Sequence, residues 1–467
     1  MRAAFLLALI LGIFAAPARA DGSFDLQAAL DAARPGDVIS VPAGTYAGPF
    51  SIDKPVTLDG QGQAVIAGSG RGDVVTIRSP YVTLRGFTIR NSGDLLDQEN
   101  AGVTGLAPHL TIEDNRFEDT LFGVYLKEAP HSIVRGNEVL SKDLPLPRRG
   151  DGIRIWYSDG SRVEDNYVHG SRDVVIWFSH DSVVRGNTVE DGRYGLHFMF
   201  SDNQLLEDNL LRHNSVGVFL MYGRGLTMRR NVMLENRGPS GYGLGLKDVD
   251  DIVAEGNRFI ANRVGLYVDN SPREADAAVR FAHNLFAYND TGLVLLPLVK
   301  RNTYVDNVFL DNDEQIGIAG SGQLSGNQWS LDGRGNYWSD YAGFDADRDR
   351  IGDLPYQPVS LYEDLMAAHP ELRLFRLSPV ADALDLAARA FPIFQPQPKI
   401  TDERPLTAPP SLPAVSGLPA QTGPGILPSA LALVGAALLI LAAGTGGFNG
   451  WNRRAARQQT ERPRILP

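Results

Sequence analysis

The chain has 467 residues and no cysteine, which excludes disulfides, thiolate metal sites and a cysteine nucleophile. Its formal net charge of −11 excludes the basic balance that binding to nucleic acid requires.

Met1–Ala20 reads as a secretory signal. Arg2 precedes the apolar run Phe5–Phe14, and Ala18-Arg19-Ala20 is a small-residue cleavage site. Export of a cysteine-free chain fits a bacterial periplasm. Leu26–Ala33 then predicts a short helix ahead of Pro35-Gly36-Asp37, placed to cap the first rung of a solenoid.

From there a repeat governs the chain. Asn115, Asn137, Asn166, Asn187, Asn209, Asn231, Asn257, Asn284, Asn307 and Asn327 recur at steps near 22 residues, most with an apolar residue three before and another two after. One polar residue per turn at this period marks a stacked β-solenoid. An Asn inside the stack satisfies its amide by bonding the backbone and the Asn of neighbouring coils. About eight residues after each Asn comes a short strand, such as Gly195-Leu-His-Phe-Met or Gly217-Val-Phe-Leu-Met. Side chains alternate along a strand. One face (Val124/Leu126, Ile153/Ile155, Leu196/Phe198, Val218/Leu220 and their equivalents) is apolar throughout and must point inward. The predicted fold is all-β: a right-handed parallel β-helix of eleven or twelve coils over residues 21–330, including the N-terminal cap.

Residues 331–394 read as a C-terminal capping region. Within it, Asp345, Asp347, Asp349 and Asp353 stand at positions 1, 3, 5 and 9 of a loop that resembles a Ca²⁺ site. Arg350 and Tyr356 stand where an EF-hand has Gly and Glu, so a salt-bridged turn is the alternative. Val380–Phe391 predicts an amphipathic helix bounded by Pro379 and Pro392. Residues 395–425 read as an extended Pro-rich linker. The uncharged run in 426–446 predicts a transmembrane helix, and the Arg-rich 447–467 a basic cytoplasmic tail by the positive-inside rule. The predicted location is periplasmic, with an anchor in the inner membrane.

The outward face of the strands carries the candidate chemistry. Met199 and Met221 fall on adjacent rungs, and His197 lies two residues before Met199 on the same side of its strand. Two thioethers and an imidazole suit a soft ion such as Cu(I). Trp156, Trp177, Phe219 and Tyr222 share that surface, which reads also as an apolar patch for a protein partner, a role compatible with a metal site. His213 is a lesser metal candidate, and His169 and His180 read as ordinary turn histidines.

Several segments carry a family resemblance: Leu26–Asp37, Gly192-Arg-Tyr-Gly-Leu-His-Phe-Met-Phe-Ser-Asp202, Gly217–Tyr222, Gly335-Asn-Tyr-Trp-Ser-Asp-Tyr341 and the tract Leu361–Phe394. With them the chain resembles the NosD family of periplasmic nitrous-oxide reductase maturation proteins. The resemblance implies a non-catalytic accessory protein that works with an ABC-type ATPase and permease. It implies assembly of the copper–sulfide cluster of nitrous-oxide reductase, with copper from a lipoprotein chaperone, or sulfur, relayed to the apo-enzyme. The competing reading is a carbohydrate-binding or polysaccharide-modifying β-helix protein, because fold alone does not decide function.

Overall fold

The computed structural model describes residues 24–415 apart from 321–323, 360–361, 363–364, 366–368, 376–377 and 391–397. The chain divides into two compact units, Met1–Ser416 and Gly417–Pro467, and every described residue belongs to the first. The secretory signal, the stretch 426–446 and the basic tail lie outside the described residues. The predicted transmembrane helix is therefore corrected. Among the described residues no helix is long and apolar enough to cross a membrane, and the inner-membrane anchor inferred from it is withdrawn. That prediction rested on an uncharged run at the short limit of a bilayer crossing, with a Pro-rich stretch before it and an Arg cluster after it.

The predicted right-handed parallel solenoid is present. Each coil contributes three short strands. Twelve stack into one sheet, from Phe50–Ile52 to Glu314–Ile318, and the other two rows join at the N-terminal end into a 23-stranded sheet. The pairings are parallel and nearly in register; Ile153, Val174, Leu196, Val218, Leu244, Leu266 and Leu293 follow one another up the inside of the 12-stranded sheet. All are buried, as are Met228 and Met233. The core is one continuous column of Val, Leu, Ile and Phe, in which no single coil closes its own apolar face.

The asparagines build the ladder expected of them. The Oδ1 of Asn209 accepts from both the backbone N–H and the Nδ2 of Asn187, each at 3.0 Å, while its own Nδ2 reaches Val184 O at 2.9 Å and Asn231 Oδ1 at 2.8 Å. The same pattern passes through Asn231, Asn257, Asn284 and Asn307. Its next member is Asn336, not Asn327. Asn327 instead pairs with Asn302 in a separate two-member ladder. A further ladder of Asn214, Asn236, Asn262, Asn289 and Asn312 stands at the turn before the 12-stranded sheet. Its members stand five residues after those of the first ladder and repeat at the same steps, so the two patterns overlap in the sequence.

Close approach explains the glycine that opens most strands of the 12-stranded sheet. A Cβ on Gly195, Gly217, Gly243 or Gly265 would stand 2.5–2.7 Å from the carbonyl oxygen of the corresponding glycine one coil on. That oxygen is backbone and cannot swing aside. Gly217→Ala is expected to cost about 1–3 kcal/mol by forcing two coils apart. A denaturant midpoint unchanged from the wild type would refute this.

Both ends are capped. The N-terminal helix spans Leu26–Ala32, with Asp25 accepting the Ala28 N–H and with Leu26 and Leu30 buried against the first coil. A second helix, Pro379–Ala390, lies close to the predicted bounds. Residues 399–415 differ from the extended linker that composition suggested. Lys399 pairs with Glu314 at 2.7 Å. Ile400, Asp402 and Leu406 are buried. Leu406 bridges to Tyr337 and Ile351. Farther on, Pro413 O accepts from the buried Arg258 at 2.5 Å. This segment is a strap over the C-terminal coils: a few apolar and charged anchors hold it despite its prolines.

Candidate functional site: an aromatic ladder beside a histidine and two methionines

The outer face of the 12-stranded sheet supplies the site. Strands Ile153–Trp156, Asp173–Trp177, Tyr194–Met199 and Val216–Met221 set Trp156, Trp177, Met199 and Met221 in one column. Met199 and Met221 are register partners, which places their Cα atoms about 4.8 Å apart. His197 lies on the same face of its strand, in the column Val175, His197, Phe219, Gly245. The structure thus puts the two predicted thioethers side by side with the imidazole in the next column.

The residue after each of these strands is aromatic and left-handed: Tyr157, Phe178, Phe200 and Tyr222 have φ of 46°, 48°, 50° and 56°. This conformation is uncommon for bulky side chains. It turns the rings onto one another, with centroids 5.0, 5.0 and 4.8 Å apart and planes within 14° of parallel. Tyr157 and Phe200 are exposed, and Phe178 and Tyr222 half-buried. Of the predicted partner residues, Tyr222 is the last ring of the ladder, Trp156 and Trp177 meet Tyr157 and Phe178, and Phe219 packs on Tyr194 in the neighbouring column; all four are half-buried. The ladder itself was overlooked, although an aromatic follows the last strand residue in four successive coils. Charges close the patch at both ends: Lys127 Nζ lies 5.1 Å over Trp156, and Lys247 pairs with Asp269 at 3.0 Å.

Behind the patch lies a buried charged cluster. Asp151 and Asp173 have no side-chain exposure. Asp151 bonds Arg154 at 2.8 Å and Arg172 at 3.2 Å. Asp173 takes the Arg193 guanidinium and the Tyr194 N–H, and its Oδ2 stands 3.4 Å from His197 Nδ1. Burial pushes the Asp151 carboxyl above its ordinary range; Arg154 and Arg172 offset part of this, while the neighbouring Asp173 adds to it. Burial also acts on Asp173, but bonds from His197 and Arg193 outweigh it and hold that carboxyl low. His197 is 7% exposed, its ring meeting Tyr194 edge-on at 4.8 Å and Phe219 at 6.3 Å. Its Nε2 is buried without a hydrogen-bond partner. Neither acid was anticipated as part of the site. The available signal was Asp173 itself, standing where the preceding coil carries Gly152.

The remaining candidates are placed elsewhere. Carboxylate oxygens of Asp345, Asp347 and Asp349 lie within 4.8 Å of one another. Asp353 turns to the Ala346 N–H at 2.7 Å, and Asp345 accepts from Asp349 N and Arg350 N. His213 pairs with Glu235 at 3.0 Å. His169 lies with Glu190 and Asp191 in a second possible donor group, but Tyr167 and Arg212 already bond Glu190. His180 Nδ1 accepts the Asp202 N–H, as a turn residue does.

The profile of a family described as "NosD: Periplasmic copper-binding protein" matches residues 139–343, the coils that carry this face. A Pseudomonas aeruginosa protein, "Probable ABC transporter binding protein NosD", is 33% identical, covering 79% of this chain and 87% of that one. A Stutzerimonas stutzeri protein of the same name is 32% identical, covering 78% and 86%. Among solved structures, the "Mannuronan C-5 epimerase AlgE6 A-module" of Azotobacter vinelandii matches with a TM-score of 0.51 at 18% identity, over 65% of this chain and 94% of that one. At that identity the likeness is one of fold alone. One-third identity over nearly the whole of two relatives goes beyond a shared solenoid: this chain belongs to the NosD family.

Proposed function

We propose that this protein is a non-catalytic periplasmic binding partner of an ABC transporter that handles copper during assembly of the copper–sulfide cluster of nitrous-oxide reductase. The observation that carries the proposal is the pairing of Met199 with Met221 beside His197, on the rim of an exposed aromatic ladder. The names of the two relatives support the transporter partnership, and the family description supports copper. Two thioethers and an imidazole match Cu(I), and the absence of cysteine leaves no competing thiolate. Aromatic and Met side chains with a charged rim compose a protein-docking surface. The permease docks there, with its ATPase supplying the energy, and a lipoprotein chaperone delivers the ion that passes to the apo-enzyme. Because His197 Nε2 is buried, loading requires Tyr194 or Phe219 to yield. The Asp345/Asp347/Asp349 loop is a separate Ca²⁺ candidate, read out by Ca²⁺-dependent protection of 345–353 from proteolysis.

Anaerobic Cu(I) titration against a chromophoric chelator tests the cargo. Saturable binding near 1:1 is expected, with loss in Met199→Leu/Met221→Leu and in His197→Ala. Binding that ignores these changes removes the site. Phe178→Ser/Phe200→Ser is expected to abolish co-purification with the permease while leaving Cu(I) affinity intact.

A second reading, a carbohydrate-binding or polysaccharide-modifying protein, draws on Asp173, His197, Tyr194 and Arg193 lying together on the outer sheet face. An acid, an imidazole and a guanidinium are the groups that proton abstraction from a sugar uses. Two observations weigh on it. Asp173 is fully buried and already bonded. The ladder rings cover one another's faces and turn their edges outward, whereas sugars stack on faces. Turnover of a uronic-acid polymer, abolished by His197→Ala, would establish this second reading.

A further inference from the structure

We infer that Asp173 is a positioning residue for His197: it fixes the imidazole as the Nδ1–H tautomer and leaves Nε2 as the atom with a free lone pair. The consequence for a metal cargo rests on the copper-handling reading above; the tautomer does not.

Three observations converge. First, Asp173 Oδ2 faces His197 Nδ1 at 3.4 Å, and an ionised carboxylate only accepts, so the nitrogen opposite it carries the hydrogen. Second, the carboxylate has no freedom to turn away. Arg193 Nε at 3.0 Å and Tyr194 N at 3.1 Å hold Oδ1, and Arg193 Nη2 holds Oδ2. These donors also favour the ionised form. Third, Nε2 is shielded from water with no partner. An N–H there would be a buried donor with nothing to receive it, whereas a bare lone pair leaves a position for a ligand. A carboxylate behind the imidazole is the usual way a metal-binding histidine is oriented.

The residue type at the position of Asp173 varies between coils. The equivalent residue one coil earlier is Gly152. Asp173 thus brings a carboxylate to one rung, directly behind the coil that carries His197.

An isosteric change gives a sharp test. In Asp173→Asn, Arg193 Nε and the Tyr194 N–H claim the single amide oxygen at the Oδ1 position. The NH₂ then falls at the Oδ2 position, facing Nδ1, and donates to it, while Arg193 Nη2 loses its acceptor there. The expected result is a flip of His197 to the Nε2–H tautomer. Histidine-selective ¹⁵N labelling of the full chain, with the His197 signal assigned by its loss in His197→Gln, reads this directly through two-bond nitrogen–proton couplings. Wild type is expected to show Nδ1–H, and Asp173→Asn to show Nε2–H with Cu(I) affinity lowered about 10- to 100-fold. Asp173→Glu restores part of that affinity by returning an ionised acceptor. An Nε2–H wild type overturns the inference, as does an Asp173→Asn variant that keeps both the wild-type tautomer and the wild-type affinity. If wild type binds no Cu(I), the copper reading fails while the tautomer still stands or falls on the spectrum. If Asp173→Asn does not fold, the wild-type spectrum alone decides.

Discussion

Replacing Asn209 by Ala is expected to destabilise the solenoid by about 3 kcal/mol or more. The change strips the Asn187 N–H of its acceptor, removes one of the bonds of Asn187 Nδ2, and leaves Val184 O without its donor. Each buried group left unsatisfied costs about 1–3 kcal/mol. Asn187 and Asn209 are both fully buried, so water does not replace the lost partner. In a solenoid each coil leans only on its neighbours, so a break in mid-stack weakens the interfaces on both sides. Guanidinium denaturation followed by tryptophan fluorescence measures the effect, and faster hydrogen exchange at the Asn187 amide locates it. Thr188→Ala, on the outward side of the next strand, is the control, with a change within about 0.5 kcal/mol. Equal midpoints for the two variants would show that the ladder is incidental to stability.

Asp402→Ala is expected to free the C-terminal strap and lower stability by a similar amount, about 3 kcal/mol. Asp402 lies in the strap, yet it completes the asparagine ladder: its Oδ2 accepts from Asn336 N at 2.8 Å and Trp338 Nε1 at 2.9 Å, and its Oδ1 from Arg404 N at 3.1 Å. Removing it orphans three donors and loosens the bridges made by Leu406. Limited proteolysis should then cut within 399–415 while the coils stay intact. An uncut strap with an unchanged melting temperature would contradict this. The same residue makes a pH prediction. Burial raises the Asp402 carboxyl above its ordinary range, and the bonds from Asn336, Trp338 and Arg404 offset only part of that rise. A carboxyl with a raised folded pKa holds its proton in the native state after the unfolded chain has lost it. Its contribution to stability therefore falls as pH climbs from the unfolded carboxylate value, about 3.9, through the folded one. Wild type should gain on Asp402→Asn as pH drops through that window.

The distinction between what was legible and what was not follows from the range of the interactions. Asn187, Asn209 and Asn231 announce the coil because the repeat writes the same residue at the same step. Leu196 and Phe198 announce the interior because alternation along a strand is local. Adjacent placement of Met199 and Met221 follows from the same register. Asp173 was not legible as a partner of His197. The two are 24 positions apart in sequence and meet because a one-residue shift between Asp173 and Val175 sets Asp173 opposite Tyr194. Nor was the strap: Lys399, Asp402 and Leu406 look like linker residues until Glu314, Trp338 and Tyr337 are brought beneath them.

By itself, then, the sequence determined the solenoid, its inward face and the pairing of the two methionines, because each of these is a periodic property that any one coil repeats. The tertiary structure alone decided that His197 is dry and backed by a carboxylate, that four aromatic rings form one ladder, and that the chain returns to cap its own last asparagine. Those depend on contacts between different coils, where one side chain's partner is set by the stacking of the whole and not by its neighbours in the chain.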